Sequence, residues 1–355
     1  MFRNILLIIT FVAQTISLMS EKNNLAAISE RTGYSVSTVS RVLSGKAEKY
    51  RICRQTIEKV TQEARRCGYR PNLVAQSLRT RQTQTVGLVV PGIDNPFFAS
   101  LASIVISQLD ARGYHTLLAD SRESEEEERQ ALEMFQDRGV DGILAVPVAS
   151  SPNVHEEISK EIPLVLIDRY FEKTTLSYVC TDNYAGAFMA AKYLVDKGYR
   201  KILAIQGVPA SMPNRERVRG FMSALEGHDV RCKVSGDAFS VENGQRETLA
   251  AFSGKTGAFD AIFAFSATIL LGAISALRKL GLTEGKDVGV ISYDNNGFLD
   301  FMNPPVTRIE QPLKEAGEIA VGTLFNLMEA RRSGEQTPAP VQQLIRPTLV
   351  IRESC

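Results

Sequence analysis

From Val86 onward the chain alternates short apolar runs with stretches whose apolar residues recur at helical spacing. The pattern predicts strands over residues 86–90, 116–119, 142–146, 164–167, 202–206, 261–265 and 288–293. It predicts helices over 97–112, 125–138, 184–197, 217–226, 242–252, 268–280 and 313–331. Strands apolar on both faces and alternating with helices mean parallel sheets covered on both sides. Two such rounds, 85–181 and 182–310, predict two doubly wound subdomains, and ligands of such folds sit beyond the carboxyl ends of the strands. The helix carrying Phe97, Phe98, Leu101, Ile104, Val105 and Leu109 is apolar almost all round, so one side covers the sheet and the other is free to cover a twin subunit.

Upstream the pattern is shorter and wholly helical. Residues 25–31 have apolar positions at helical spacing, Gly33 supplies a permissive turn, and Ser35 is a good N-cap. A helix from Val36 puts Val39, Val42 and Leu43 on one stripe and Ser37, Thr38, Ser40 and Arg41 on the opposite face. Short hydroxyls allow close approach to a base edge, and one Arg can grip guanine bidentately. Helix, glycine turn, helix therefore reads as a DNA-binding unit, although a helical hairpin with a serine-rich surface fits this stretch alone equally well. A third helix over 54–67 repeats Ile57, Val60 and Ala64 and ends at Gly68. In the linker, Pro71 fixes an extended entry and Asn72 can cap a short helix to Arg79, too short to be stable alone in water.

Charge sharpens this division. Net charge over the 355 residues is only +1, but residues 20–84 hold 13 Lys/Arg against 5 Asp/Glu, whereas 85–355 hold 27 against 35. A basic head on an acidic body is the footprint of a nucleic-acid-binding module joined to another domain. The five cysteines are scattered, with no C-x-x-C, and only three histidines occur, so free thiols in a reducing cytoplasm and no metal site are expected. No Gly-rich phosphate loop and no Ser/His/Asp or Cys/His constellation is present, so no catalytic residues and no cofactor are expected. The acidic run Glu125 to Glu128 reads as the solvated first turn of a helix. Residues 1–19 hold an apolar run, Ile5 to Leu18, of signal-core length but with no evident cleavage site. They read as an upstream start assigned in error; the alternative is an exported or membrane-tethered sugar-binding protein using them as its signal.

Several motifs stand in one register: Thr38-Val39-Ser40-Arg41-Val42-Leu43, Gly68-Tyr69-Arg70-Pro71-Asn72, Ser77-Leu78-Arg79-Thr80, Val86-Gly87-Leu88-Val89-Val90-Pro91 and Asn95-Pro96-Phe97-Phe98. In order and spacing the chain, from about residue 23 to its end, resembles the LacI/GalR family of bacterial transcriptional regulators. Its loop from Ser44 to Arg51 is similar to that of the fructose-responsive branch, which Val39 and Arg41 depart from. The resemblance implies a helix-turn-helix head (20–69), a hinge-helix linker (70–84) and an effector-binding and dimerisation domain (85–355) of periplasmic-binding-protein type. Within the last it implies one subdomain of 85–181 plus 311–338 and another of 182–310 plus 339–355. It implies that Val36 and Ser37 set operator choice, that Thr38, Ser40 and Arg41 contact phosphates and bases, and that Leu78 wedges into a minor-groove step. It places Asp168, Arg217, Asp294 and Gln311 on effector positions. Asn95, Ser150 and Arg169 join them as polar residues just past strand ends, and Ser266 joins them as the residue where the family commonly has Asn and the fructose-responsive branch has Ser. The expected protein is a cytoplasmic homodimer that represses carbohydrate genes on double-stranded operator DNA, switched by a sugar or sugar phosphate. No leucine heptads follow Gln343, so a coiled-coil tetramer is not expected.

Overall fold

A computed structural model describes residues 24–69, 82–253 and 258–355. The chain divides into two compact units, Met1–Gln82 and Thr83–Cys355. The expected hinge helix, with Asn72 and Leu78, lies outside the described residues, as do residues 1–19.

In the first unit, α1 (Leu25–Thr32) begins at Asn24, whose side chain accepts from the Ala27 N–H at 2.9 Å, and stops at Gly33. There φ is 77°, a left-handed conformation that glycine takes without strain. α2 (Val36–Leu43) is capped by Ser35, which accepts from the Thr38 N–H at 3.2 Å, and α3 covers Arg54–Arg66. Ile28, Val39, Val42, Val60 and Ala64 form a small core, joined by Ala47 from the loop between α2 and α3. That loop is thereby anchored, while Lys46, Lys49 and Arg51 stay exposed.

The second unit contains β1 (Thr85–Val90), α4 (Pro96–Asp110), β2 (His115–Asp120), α5 (Glu125–Asp137), β3 (Gly142–Ala145), α6 (Asn153–Ser159), β4 (Leu164–Ile167) and β5 (Ser177–Thr181). There follow α7 (Asn183–Asp196), β6 (Lys201–Ile205), α8 (Met212–Leu225), β7 (Arg231–Ser235), α9 (Val241–Phe252), β8 (Ala261–Ala264), α10 (Ala267–Lys279) and β9 (Gly289–Tyr293). The 3-10 turn Gly297–Phe301, β10 (Thr307–Glu310), α11 (Leu313–Ser333), β11 (Gln342–Ile345) and β12 (Thr348–Val350) complete it. Two six-stranded sheets result, ordered β11-β5-β4-β3-β1-β2 and β12-β10-β9-β8-β6-β7. Every pairing is parallel except β12 with β10. The central strands β3, β4, β8 and β9 are buried along their whole length, as their near-continuous apolar runs require. The chain crosses between the lobes after β5, after β10 and after β11.

Several elements and boundaries differ from the sequence reading. The segment 339–355 was expected wholly in the second lobe, yet β11 pairs with β5 in the first, Gln342 opposite Tyr178 and Ile345 opposite Thr181. Within that segment only β12 joins the second sheet, because the open edge of β5 takes the returning chain first. β5 and β7 escaped notice because they mix polar with apolar positions, and β7 is an edge strand with no fully buried residue. α6 has only seven residues, too short for a clear helical period. The helix expected to open at Arg217 begins at Met212, with Pro213 in its first turn, a place where the missing N–H costs nothing.

Candidate functional site

Residues beyond the strand ends of both lobes line one cavity of about 350 Å³, counting the space at its mouth. Asn95 caps α4 after β1, Asp168 and Arg169 directly follow β4, and Asp294 directly follows β9. Gln311 follows β10, Ser266 caps α10 after β8, and Arg217 comes from the second turn of α8. Asp168 and Asp294 both sit at positive φ, 69° and 79°, a conformation L-residues seldom adopt and Asn and Asp tolerate better than most. Matched left-handed aspartates at the two strand ends turn both carboxylates toward one space, the kind of local strain that gathers at functional sites.

The polar groups are bound to one another but not saturated. Arg217 donates from Nε to Asn183 Oδ1 at 2.8 Å and from Nη1 to the Phe265 carbonyl, and its guanidinium lies 3.7 Å from the Tyr293 ring centroid. Asp294 accepts from Gln311 Nε2 at 2.6 Å and from the Ala267 N–H at 3.4 Å. Arg169 forks onto Glu123 at 2.8 and 2.6 Å, while its Nε, 4.0 Å from Asp168 Oδ2, has no hydrogen-bond partner. Gln311 Oε1 is likewise buried without a donor. Buried polar groups are nearly always paired, so a lone donor and a lone acceptor in one cavity wall imply a partner that arrives from outside. Burial raises the Asp168 carboxyl to about 6, against the opposing pull of Arg169 and Arg217; Asp294 reinforces the rise. Burial also raises Asp294, again opposed by Arg217.

Seven of the eight expected effector residues thus converge, and Asn95 and Ser266 cap helices while bordering the cavity. Ser150 does not join them. It lies in the wider adjoining groove, its N–H held by Glu125 at 2.7 Å, because the loop after β3 turns away over α5. Sequence reasoning missed the aromatic wall (Phe97, Phe98 and Phe239) and Glu123. The sequence reading places Phe97 and Phe98 on a helix divided between the sheet and a twin subunit, and Phe239 follows β7, a strand it does not predict. The acidic run was also misjudged at its end. Glu128 is 1% exposed, bonded to His155 Nε2 at 3.0 Å and to the Val148 and Ala149 N–H groups at 3.1 and 2.9 Å.

In the first unit α2 presents Val36, Ser37 and Arg41 to solvent, with Thr38 and Ser40 half-buried beside them. Val36 is 45% exposed, an apolar residue at the helix start with no core to enter. The Ser37 and Thr38 hydroxyls each lie 2.9 Å from the Ser35 hydroxyl, so the start of the helix is a linked polar tip.

A family model described as a periplasmic binding protein domain matches residues 86–299. The chain is 30% identical to the HTH-type transcriptional repressor PurR of Pectobacterium atrosepticum, covering 92% of this chain and 95% of that one. It is 29% identical to the ribose operon repressor of Halalkalibacterium halodurans over the same shares of the two chains. Among solved structures it is similar to the Cra transcriptional dual regulator of Pseudomonas putida in complex with fructose 1-phosphate. That match has a TM-score of 0.70 at 25% identity and covers 76% of this chain and 98% of that one.

Proposed function

The chain belongs to the LacI/GalR family of transcriptional regulators, and from that premise we propose that it is a repressor switched by a neutral sugar bound between Asp168 and Asp294. On this reading it binds double-stranded operator DNA as a dimer, which suits a chain whose relatives are named as repressors. Carbohydrate genes are the proposed target and the cytoplasm the proposed site of action. Among the described residues no helix is long and apolar enough to cross a membrane. The protein acts by binding and conformational change, without catalysing a reaction.

The observation that carries the effector reading is the unpartnered pair, Arg169 Nε–H and Gln311 Oε1, flanking two buried carboxylates. A polyhydroxyl ligand supplies what is missing: hydroxyl donors for Asp168, Asp294 and Gln311, and an acceptor for Arg169. Its ring faces would rest on Phe97, Phe98 and Phe239. Two carboxylates, Asp168 and Asp294, line the cavity beside two guanidinium groups, and both guanidiniums are already engaged, Arg169 by Glu123 and Arg217 by Asn183 and the Phe265 carbonyl. A phosphate would meet two buried carboxylates with only the Arg169 Nε–H left to receive its charge, so an uncharged sugar fits better. The likeness to a regulator holding fructose 1-phosphate keeps a sugar phosphate as the second reading.

Operator release then follows from the cleft. A ligand that bridges the lobes favours one arrangement of them and biases how two copies present their heads. On this reading Val36, Ser37, Thr38, Ser40 and Arg41 read and grip the duplex, with Asn72 and Leu78 in the linker. The test is thermal stabilisation of the full chain by a panel of sugars and sugar phosphates, followed by operator release with each hit. We expect neutral sugars to stabilise, and Arg217→Ala to keep operator binding while losing the response. Stabilisation by phosphorylated sugars alone would sink the neutral-sugar reading.

A further inference from the structure

We propose that Tyr50 is a positioning residue for operator choice: its ring is the platform that holds the Arg41 guanidinium ready for a base edge. The inference rests on the reading of Arg41 as a base-contacting residue. The Arg41 Cζ lies 4.0 Å from the centroid of the Tyr50 ring, although both residues are exposed and 45% of Tyr50 faces solvent. Tyr50 therefore adds little to the head core. The loop that carries it is built to hold the ring there. The Lys46 N–H donates to the carbonyl of Arg41 itself at 2.9 Å, so loop and reading residue share an anchor. Further bonds run from the Tyr50 N–H to Lys46 O at 3.3 Å, Arg51 N–H to Glu48 O at 2.9 Å and Ile52 N–H to Ala47 O at 2.9 Å. Gly45 and Arg51, at φ of 71° and 53°, close the turn at either end, and Ala47 seats it in the core.

A free Arg side chain loses much rotamer freedom when it grips a base, and a stacked one has lost part of it beforehand. Stacking uses the face of the guanidinium and leaves its N–H edge for the two acceptors of guanine. Desolvation of the pair on the duplex strengthens the contact further. Lys46, Lys49 and Arg51 on the same loop supply charge toward phosphates, a contribution blind to sequence. One loop thus does two separable things: its basic residues add affinity and its tyrosine adds discrimination.

The experiment begins by selecting a preferred duplex from a random library with the full chain. Affinities for it and for a scrambled duplex are then measured at several salt concentrations for Tyr50→Phe, Tyr50→Ala, Arg41→Ala and the double variant Tyr50→Ala/Arg41→Ala. Tyr50→Phe should match the parent. Tyr50→Ala should lower the ratio of the two affinities roughly five- to thirtyfold, with an unchanged salt slope, which also shows that the head is folded. Arg41→Ala should abolish most discrimination, and Tyr50→Ala should add nothing on top of it. Full discrimination in Tyr50→Ala, an equal loss in Tyr50→Phe, or a Tyr50→Ala loss that persists without Arg41 would each overturn the proposal while leaving Arg41 as a reader. No effect of Arg41→Ala would overturn both.

Discussion

Asp168 shows how one residue couples cleft and pH. Its carboxyl is raised from an ordinary 3.8 to about 6 by burial, so folding favours the protonated form. The stability this contributes is complete below about 3.8 and is lost as pH rises through about 6. Sugar hydroxyls donate to the ionised form, so effector binding releases a proton below that range. Affinity should therefore climb between pH 5 and pH 7, by up to roughly tenfold per unit on the acid side, and then level off. Calorimetric titration across that range checks it, and Asp168→Asn should flatten the profile. Glu128 is the second residue with a clear consequence. Glu128→Ala removes the acceptor of the half-buried Val148 and Ala149 N–H groups and strands the buried His155, and should cost about 2–4 kcal/mol in denaturant unfolding. Glu128→Gln keeps an acceptor and should cost clearly less.

At the scale of elements, α7 and α8 are packed so closely that a Cβ on Gly220 would lie 2.2 Å from the Tyr184 carbonyl oxygen. That contact sets the depth of α8, and α8 carries Arg217 one turn earlier. Gly220→Ala should lower stability by about 1–3 kcal/mol. It should also weaken effector binding beyond what stability explains, because Arg217 is carried away from Asn183 and Tyr293. Unchanged effector affinity in a folded Gly220→Ala protein would mean that α8 depth does not matter to the site. Ile104 makes the same kind of point on α4. It packs against Gly317 of α11 and does not face outward, which leaves Ala99 and Ile106 with Ile93 and Leu118 as the apolar surface on the other side.

For the whole molecule, that surface is where the proposed dimer would be expected to seat its second copy. Ile93 and Leu118 are 41% and 38% exposed beside a shallow groove along α4. The double variant Ile106→Asp/Leu118→Asp should sediment as a monomer and lose about two orders of magnitude in operator affinity, while still binding effector. A dimer that survives both substitutions would place the interface elsewhere. The uneven charge belongs to this scale too, since operator affinity should fall steeply with salt through the basic head.

The amino-acid sequence alone determined the alternation of buried strands and helices, the capped helix-turn-helix and the basic head, because these rest on local periodicity, capping chemistry and charge. It also singled out Asp168 and Asp294, since strand ends in a doubly wound fold are where ligand groups stand. Tertiary structure decided what depends on long-range approach. Examples are the aromatic wall, the Glu123 clamp on Arg169, the burial of Glu128 against His155 and the return of β11 to the first sheet. In each of these the partners lie far apart in the chain and meet only in the assembled fold, the aromatic wall needing both sheets and the others the first alone, so no local pattern encodes them.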